Sequence, residues 1–244
     1  VPVIAIGSLK TAGSTTLALT LASVAAAAGV PVLLVDASRD RDLSVWAAKP
    51  GRPDGLDVVS PETGGQLQQA IRAGRDAGAL ILLDAGSKPE ILRFSRRVAD
   101  FLLIPVRFSP LSTFAAVATD RLVAPETPAE TDLPRAFVAS AITQIPSRIA
   151  RIVEGSLALR QTERLAAGLC QRAAYEAPFL YGGTIFTLVD EQAPGLRRAQ
   201  AEAIDLMAQL TARIGAAEMA PIPASLKPAA MPVPAQPAAV LELA

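Results

Sequence analysis

Histidine is missing from all 244 residues, and cysteine occurs once, at Cys170. Without histidine there is no Ser-His-Asp triad, no imidazole general base and almost no route to a zinc site. A single cysteine cannot close an internal disulfide, and without a neighbouring histidine it lacks the usual activating base, so Cys170 reads as a buried spectator thiol. Aromatic residues make up only 4% of the chain, while hydrophobic residues reach 51%. Such a core must be built from Ala, Leu, Val and Ile, which suits helices packed on a buried parallel sheet. The 23 basic and 23 acidic side chains cancel, so any contact with nucleic acid needs a local patch. Long uncharged apolar runs are also lacking. The nearest, from Thr15 to Val35, is interrupted by helix and turn signals, so no membrane span and no membrane partner is expected. No basic segment precedes an apolar one near Val1, and a cytoplasmic protein is the default expectation, although a leader trimmed ahead of Val1 would leave no trace.

What is present alternates. Val3 to Ile6 is a short apolar run ending at Gly7. Ser14-Thr15-Thr16 opens an Ala/Leu-rich helical stretch that continues from Leu17 to Ala28 and closes at Gly29, and Val30 to Val35 is a second β-branched run ending at Asp36. Strand, loop, helix and strand make one right-handed βαβ unit. The pattern then repeats. Helices are expected over Gln66 to Ala73, Leu92 to Ala99, Pro110 to Leu122, Ser147 to Leu159 and Gly195 to Ile214. Strands are expected over Ala79 to Leu83 (ending at Asp84), Phe101 to Val106 and Ala136 to Ile142, with a short strand or loop over Ile185 to Leu188. This predicts an α/β, doubly wound, mostly parallel sheet over residues 1–217, with ligands at the carboxyl ends of the strands, where Gly7, Asp36 and Asp84 fall. Six prolines between Pro221 and Pro237 mark residues 218–244 as a flexible Pro/Ala-rich tail.

The segment Ser8-Leu9-Lys10-Thr11-Ala12-Gly13-Ser14-Thr15 occupies the place of a phosphate-binding loop between the first strand and the first helix. The pattern G-x-x-x-x-G-K-S/T wraps phosphates with backbone N–H groups, neutralises them with lysine and brings a hydroxyl to Mg²⁺. Here Gly13 and Thr15 match, Ser8 replaces the opening glycine and Ser14 replaces the lysine. A turn followed by a capped helix would read the same way. Asp84 at the end of an apolar strand suits an Mg²⁺-orienting carboxylate, and Asp36 ends the second strand; each could equally be a solvated strand end or a cap for the following helix.

Together with Val32 to Ala37, Leu43 to Ala48, Leu82-Leu83-Asp84, Ala99 to Val106 with Ser109-Pro110-Leu111, and Gln171 to Ala177, this segment resembles the ParA/MinD family of deviant-Walker P-loop ATPases. The resemblance runs collinearly over about residues 3 to 215, nearest in texture to the ParA-like branch with plasmid partition and VirC-type transfer proteins. It implies ATP and Mg²⁺ as cofactors, a nucleotide-switched homodimer, a protein adaptor or cargo, and nonspecific DNA binding. On that basis Lys10 to Thr16 (Lys10, Thr11, Ala12, Gly13, Ser14, Thr15, Thr16) would hold nucleotide and Thr15 and Asp84 the metal. Lys10, Asp36 and Asp40 would serve hydrolysis. Lys10 matches the signature lysine only if the loop is one residue shorter than usual; ungapped, that position is Leu9. The second switch aspartate falls at Ser38, with Asp40 two residues on. Losing the loop lysine removes transition-state stabilisation, so weak binding and slow or absent hydrolysis are expected, and a non-catalytic adaptor that keeps the fold is the alternative. Six arginines and only two acids lie between Arg135 and Arg172. Of these, Arg148/Arg151 and Arg160/Arg164 have spacings that share a helical face, and with Arg172 they form the candidate DNA-binding set.

Overall fold

The computed structural model describes residues 1–127 and 131–215. In chain order the elements are β1 (Val3–Gly7), α1 (Ser14–Ala27), β2 (Val32–Asp36), α2 (Asp42–Ala47), β3 (Leu56–Val59), α3 (Gly64–Asp76), β4 (Leu80–Gly86) and α4 (Pro89–Val98). They continue with β5 (Phe101–Val106), α5 (Pro110–Val123), β6 (Arg135–Ile142), α6 (Arg148–Ala158), β7 (Arg164–Cys170), α7 (Ala173–Tyr181) and α8 (Leu196–Ile214). Seven strands form one sheet in the order β3-β2-β4-β1-β5-β6-β7. Every pairing is parallel.

The sheet is buried on both faces because its strands alternate between two cores. Ile4, Ile6, Leu34, Leu82, Leu103 and Val138 point to one side and pack with α1, α2, α7 and α8. Val3, Ala5, Leu33, Val35, Ile81, Leu83, Leu102, Ile104 and Phe137 point to the other, with α3, α4, α5 and α6. A sheet covered twice needs near-continuous apolar strands, which is what β1, β2, β4 and β5 supply. The chain winds left from β1 to β2 and right from β5 to β6, so the carboxyl end of β1 opens at a topological switch point. The Thr15 to Val35 apolar run is explained by burial: Leu17 to Ala25 are all buried in α1. Among the described residues no helix is long and apolar enough to cross a membrane.

Several expectations need correcting. Ser14, Thr15 and Thr16 do not cap α1; the N-cap is Gly13 in the left-handed conformation at φ 87°, and no side chain caps the helix. Of the two expectations for Ile185 to Leu188, strand or loop, the structure shows the loop, formed of turns. Arg164 begins β7 and Arg160 sits in the turn after α6, so these two share no helical face. Cys170 is only partly buried, at the end of β7. The strand β3, the short α2, β7 and the Pro178-containing α7 have no counterpart in the expected elements. The expected tail, 218–244, lies outside the described residues, as do 216 and 217 of the expected domain.

Trp46 ties α2 to the body of the domain. It is 1% exposed and its indole Nε1–H donates to the Gly183 carbonyl at 2.8 Å. Gly183 is at φ 65°, and Gly182 beside it leaves no room for a Cβ, which would stand 2.3 Å from the Pro50 carbonyl oxygen. Trp46→Ala should cost about 3–5 kcal/mol, measured by urea denaturation, since it removes both packing and a buried hydrogen bond.

Candidate functional site

The loop from Ser8 to Gly13 lies over the carboxyl edge of the sheet and is pinned from three sides. The Ser8 N–H donates to Gly86 O at 3.0 Å. The Leu9 N–H donates to Thr119 Oγ1 at 2.9 Å, and Ser140 Oγ donates to Ala12 O at 2.6 Å. Gly7 must be glycine for this approach, because a Cβ there would sit 2.9 Å from the Gly86 carbonyl oxygen. With no side-chain cap on α1, the first-turn N–H groups of Ser14, Thr15 and Thr16 have no intrahelical acceptor, and the positive end of the helix dipole adds to their pull on an anion.

Thr15 and Asp84 meet directly. Thr15 Oγ1 donates to Asp84 Oδ2 at 2.6 Å, and the Gly86 N–H donates to Asp84 Oδ1 at 2.9 Å. Asp84 is fully buried, and burial pushes its carboxyl up to about 6, against the opposing hydrogen bonds from Thr15 and Gly86. Its neighbour across the sheet is Asp36, paired with it in the β2/β4 register and also fully buried. Asp36 is satisfied by a different set of donors. Ser38 Oγ at 2.6 Å and the Ser38 N–H at 3.3 Å reach Oδ1, while the Ser44 N–H at 3.2 Å and Ser44 Oγ at 3.3 Å reach Oδ2. Asp36 therefore braces the β2–α2 loop. Arg41, held at φ 58°, completes that loop by donating to the Asp36 and Pro61 carbonyls at 2.6 and 2.8 Å.

Of the residues picked out in the sequence, the structure gathers Gly13, Ser14, Thr15, Thr16, Asp84 and Asp36 at one sheet edge. Lys10 and Thr11 are exposed on the crest of the loop, Ala12 is buried beneath it, and Asp40 is exposed beyond Ser38. Open space flanks the start of α1 on both sides. A cleft of about 300 Å³ is lined by Thr15, Thr16, Asp42, Val45, Trp46 and Phe179. On the β6/β7 side a recess of about 70 Å³ touches Gly13, Thr16, Arg107, Ser140, Ala141 and Tyr175. The smaller recess has room for a few waters, so a nucleotide base entering it would displace side chains. Ala141 in its wall is strained at φ 51°.

The donor set matches ATP and Mg²⁺ in part. Uncapped N–H groups and Gly13 suit phosphate, and a hydroxyl beside a carboxylate suits a hard cation. Among the described residues no group of three or more His, Cys, Asp or Glu could hold a metal alone. Mg²⁺ commonly uses one or two protein oxygens plus phosphate and water, so the Thr15–Asp84 pair fits it only alongside a nucleotide. The fit is incomplete in charge, because the residue opening α1 is Ser14, which brings no positive charge.

The candidate DNA-binding arginines divide in two. Arg148, Arg151 and Arg160 are exposed. Arg164 pairs with Glu154 at 3.1 Å and lies 5.8 Å over the Phe108 ring. Arg172 donates through Nε and Nη2 to Glu202 Oε1 at 3.0 and 2.5 Å. Glu202 also accepts the Cys170 N–H at 3.2 Å, and the Tyr175 hydroxyl lies 2.9 Å from it. Burial pushes the Cys170 thiol up and Glu202 adds to the shift, so it stays a poor nucleophile. Sequence reasoning missed Ser140 and Arg107, which no motif marks, and the tie of Arg172 to Glu202, thirty positions away.

No family model matches the chain. Protein ParA of Rhizobium radiobacter is 28% identical over 217 residues, covering 86% of this chain and 98% of that protein. Among solved structures, a variant of McdA from Cyanothece in complex with ATP has a TM-score of 0.67 at 12% identity, covering 86% of this chain and 96% of that one. A plasmid partition protein from Borrelia burgdorferi B31 bound to AMPPNP scores 0.63 at 13% identity, covering 86% and 99%. MinD in the MinC:MinD cell division complex of Aquifex aeolicus scores 0.63 at 17% identity, covering 87% and 96%.

Asp84 carries a pH-dependent cost. Its folded value near 6 lies above the ordinary 3.8. The penalty is absent below the ordinary value, where both states are protonated, grows between the two, and is fully present above the folded value. Asp84→Asn, whose amide can donate to Thr15, should therefore stabilise the nucleotide-free chain at pH 7.5 by on the order of 1–3 kcal/mol. At pH 4 it should give little or nothing. Denaturant titrations at the two pH values check this, and an equal gain at both would contradict the burial argument.

Proposed function

The chain has the ParA/MinD family P-loop ATPase fold, and from that premise we propose that it is a ParA-like partition or positioning ATPase whose nucleotide-bound form dimerises and holds a cargo. The observation that carries this reading is the Thr15–Asp84 hydrogen bond at the foot of an uncapped α1, on the open carboxyl edge of the sheet. In the proposed site the N–H groups of Gly13 to Thr16 bind the phosphates, Thr15 and Asp84 hold Mg²⁺, and Lys10 is the loop's own cation. Mg²⁺ would neutralise charge on the phosphate oxygens and, beside Asp84, offset the cost of burying its carboxylate. ATP in McdA and AMPPNP in the Borrelia partition protein support nucleotide as the ligand of this fold.

Hydrolysis is expected to be slow for two reasons. Ser14 removes positive charge from where it develops in phosphoryl transfer. The serine at position 38 donates to Asp36 instead of offering a carboxylate to an attacking water. These same two features favour a second reading, a non-catalytic adaptor that retains the fold and binds a protein partner.

Calorimetry with ATP–Mg²⁺ separates the two. The switch predicts binding that Asp84→Ala and Lys10→Ala weaken, with nucleotide-dependent dimerisation in sedimentation. Absence of binding at millimolar nucleotide would leave the adaptor. Ser14→Lys restores the missing charge and should raise the hydrolysis rate by on the order of a hundredfold, in line with ~3 kcal/mol for such a group, as read in a phosphate-release assay.

A further inference from the structure

α6 buries one face and leaves an apolar stripe on the other. Ala150, Val153 and Leu157 pack inward. Outward, Ile149 is 58% exposed, Ile152 62% and Leu159, at the helix end, 88%, with Ile145 just before the helix at 88%. Within α6, positions 149, 152 and 156 share one helical face, with Ser156 its polar member; Ile145, ahead of Pro146, and Leu159, the C-cap, add exposed apolar surface just beyond the two ends of the helix. On α5, Leu111 and Phe114 are likewise exposed, 64% and 70%. Nothing in the folding of this domain requires Ile and Leu on the solvent side of a helix.

Charge decides what the stripe fits. Arg148 and Arg151 flank it and Arg160 stands at its end, all exposed. The acid on this helix, Glu154, is engaged by Arg164. Neither α5 nor α6 carries an acidic residue in its first turn. A second copy of this face would set arginines against arginines. Duplex DNA would satisfy the arginines but leave the isoleucines and leucine without a partner, since phosphate contacts gain nothing from aliphatic side chains. We infer that the outer face of α6 is a docking surface for an amphipathic helix of a partner protein, with an apolar seam seated on Ile149, Ile152 and Leu159 and acidic flanks facing Arg148 and Arg151. This is independent of whether nucleotide binds, because no residue of the stripe belongs to the α1 site.

The test uses the full chain in fluorescence anisotropy with three probes: a synthetic helical peptide with leucine at heptad a and d positions and glutamate at e and g, the same peptide with lysine for glutamate, and a random DNA duplex. The glutamate peptide should bind, more weakly as salt rises, and the lysine peptide should not. The variants I149S/I152S and R148E/R151E should each weaken the glutamate peptide at least about tenfold, with thermal melting unchanged because these side chains are exposed. Failure of the glutamate peptide to bind, equal binding of both peptides, or binding indifferent to I149S/I152S would overturn the inference. So would duplex binding that R148E/R151E abolishes and I149S/I152S leaves intact, if the glutamate peptide cannot compete with it. A wild-type dimer in sedimentation that I149S/I152S dissolves would assign the face to a second copy instead.

Discussion

Two carboxylates, Asp36 and Asp84, lie side by side at the carboxyl edge of a parallel sheet, both fully buried. Placing two acids there is costly unless each is given donors, and much of the local architecture supplies them. Asp36 takes its donors from Ser38 and Ser44, and in doing so shapes the turn that starts α2 and brings Trp46 into the core. Asp84 takes the Thr15 hydroxyl and the Gly86 amide, and burial still holds its carboxyl up at about 6. The two acids occupy equivalent strand positions but have different surroundings: Asp36 braces the β2–α2 loop, while Asp84 accepts from Thr15 at the start of α1.

That asymmetry bears on function more than the motif does. A phosphate loop without its lysine would have little meaning if the space above α1 were filled, but clefts remain on both sides of Thr16. The loop backbone is held by Gly86, Thr119 and Ser140, contacts that do not involve the lost cation. The position of the loop thus does not depend on a cation at residue 14. On the proposed reading, such a loop would bind a ligand with little turnover, and the exposed apolar stripe on α6 would serve a partner without needing turnover.

The legible parts of the fold were those whose residues respond to their own neighbours in sequence. β5 runs from Phe101 to Val106 as expected because an apolar run of six, too short for a helix and containing Pro105, fits a strand buried on both faces. α5 begins at Pro110 with Ser109 as its cap, a signal carried in adjacent positions. β7 was not legible: Arg164 to Cys170 contains Ala, Gly and alternating exposure, and becomes a strand only by pairing with β6. α2 escaped notice for a similar reason, since six residues form a helix only once Asp36 and the Trp46 pocket exist. The arginines were grouped by spacing alone, and spacing did not reveal that Glu154 and Glu202 would claim two of them.

By itself the sequence determined an α/β sheet with apolar strands and placed Asp36 and Asp84 at strand ends, because these follow from local periodicity and residue type; reading Ser8 to Thr15 as a phosphate loop rested on the family resemblance. Tertiary structure alone decided that Thr15 bonds Asp84, that Ser38 occupies Asp36, which arginines are left exposed, and that isoleucines of α6 face solvent. Those outcomes depend on which strands become neighbours, and the energies that select them arise only between residues brought together from distant parts of the chain.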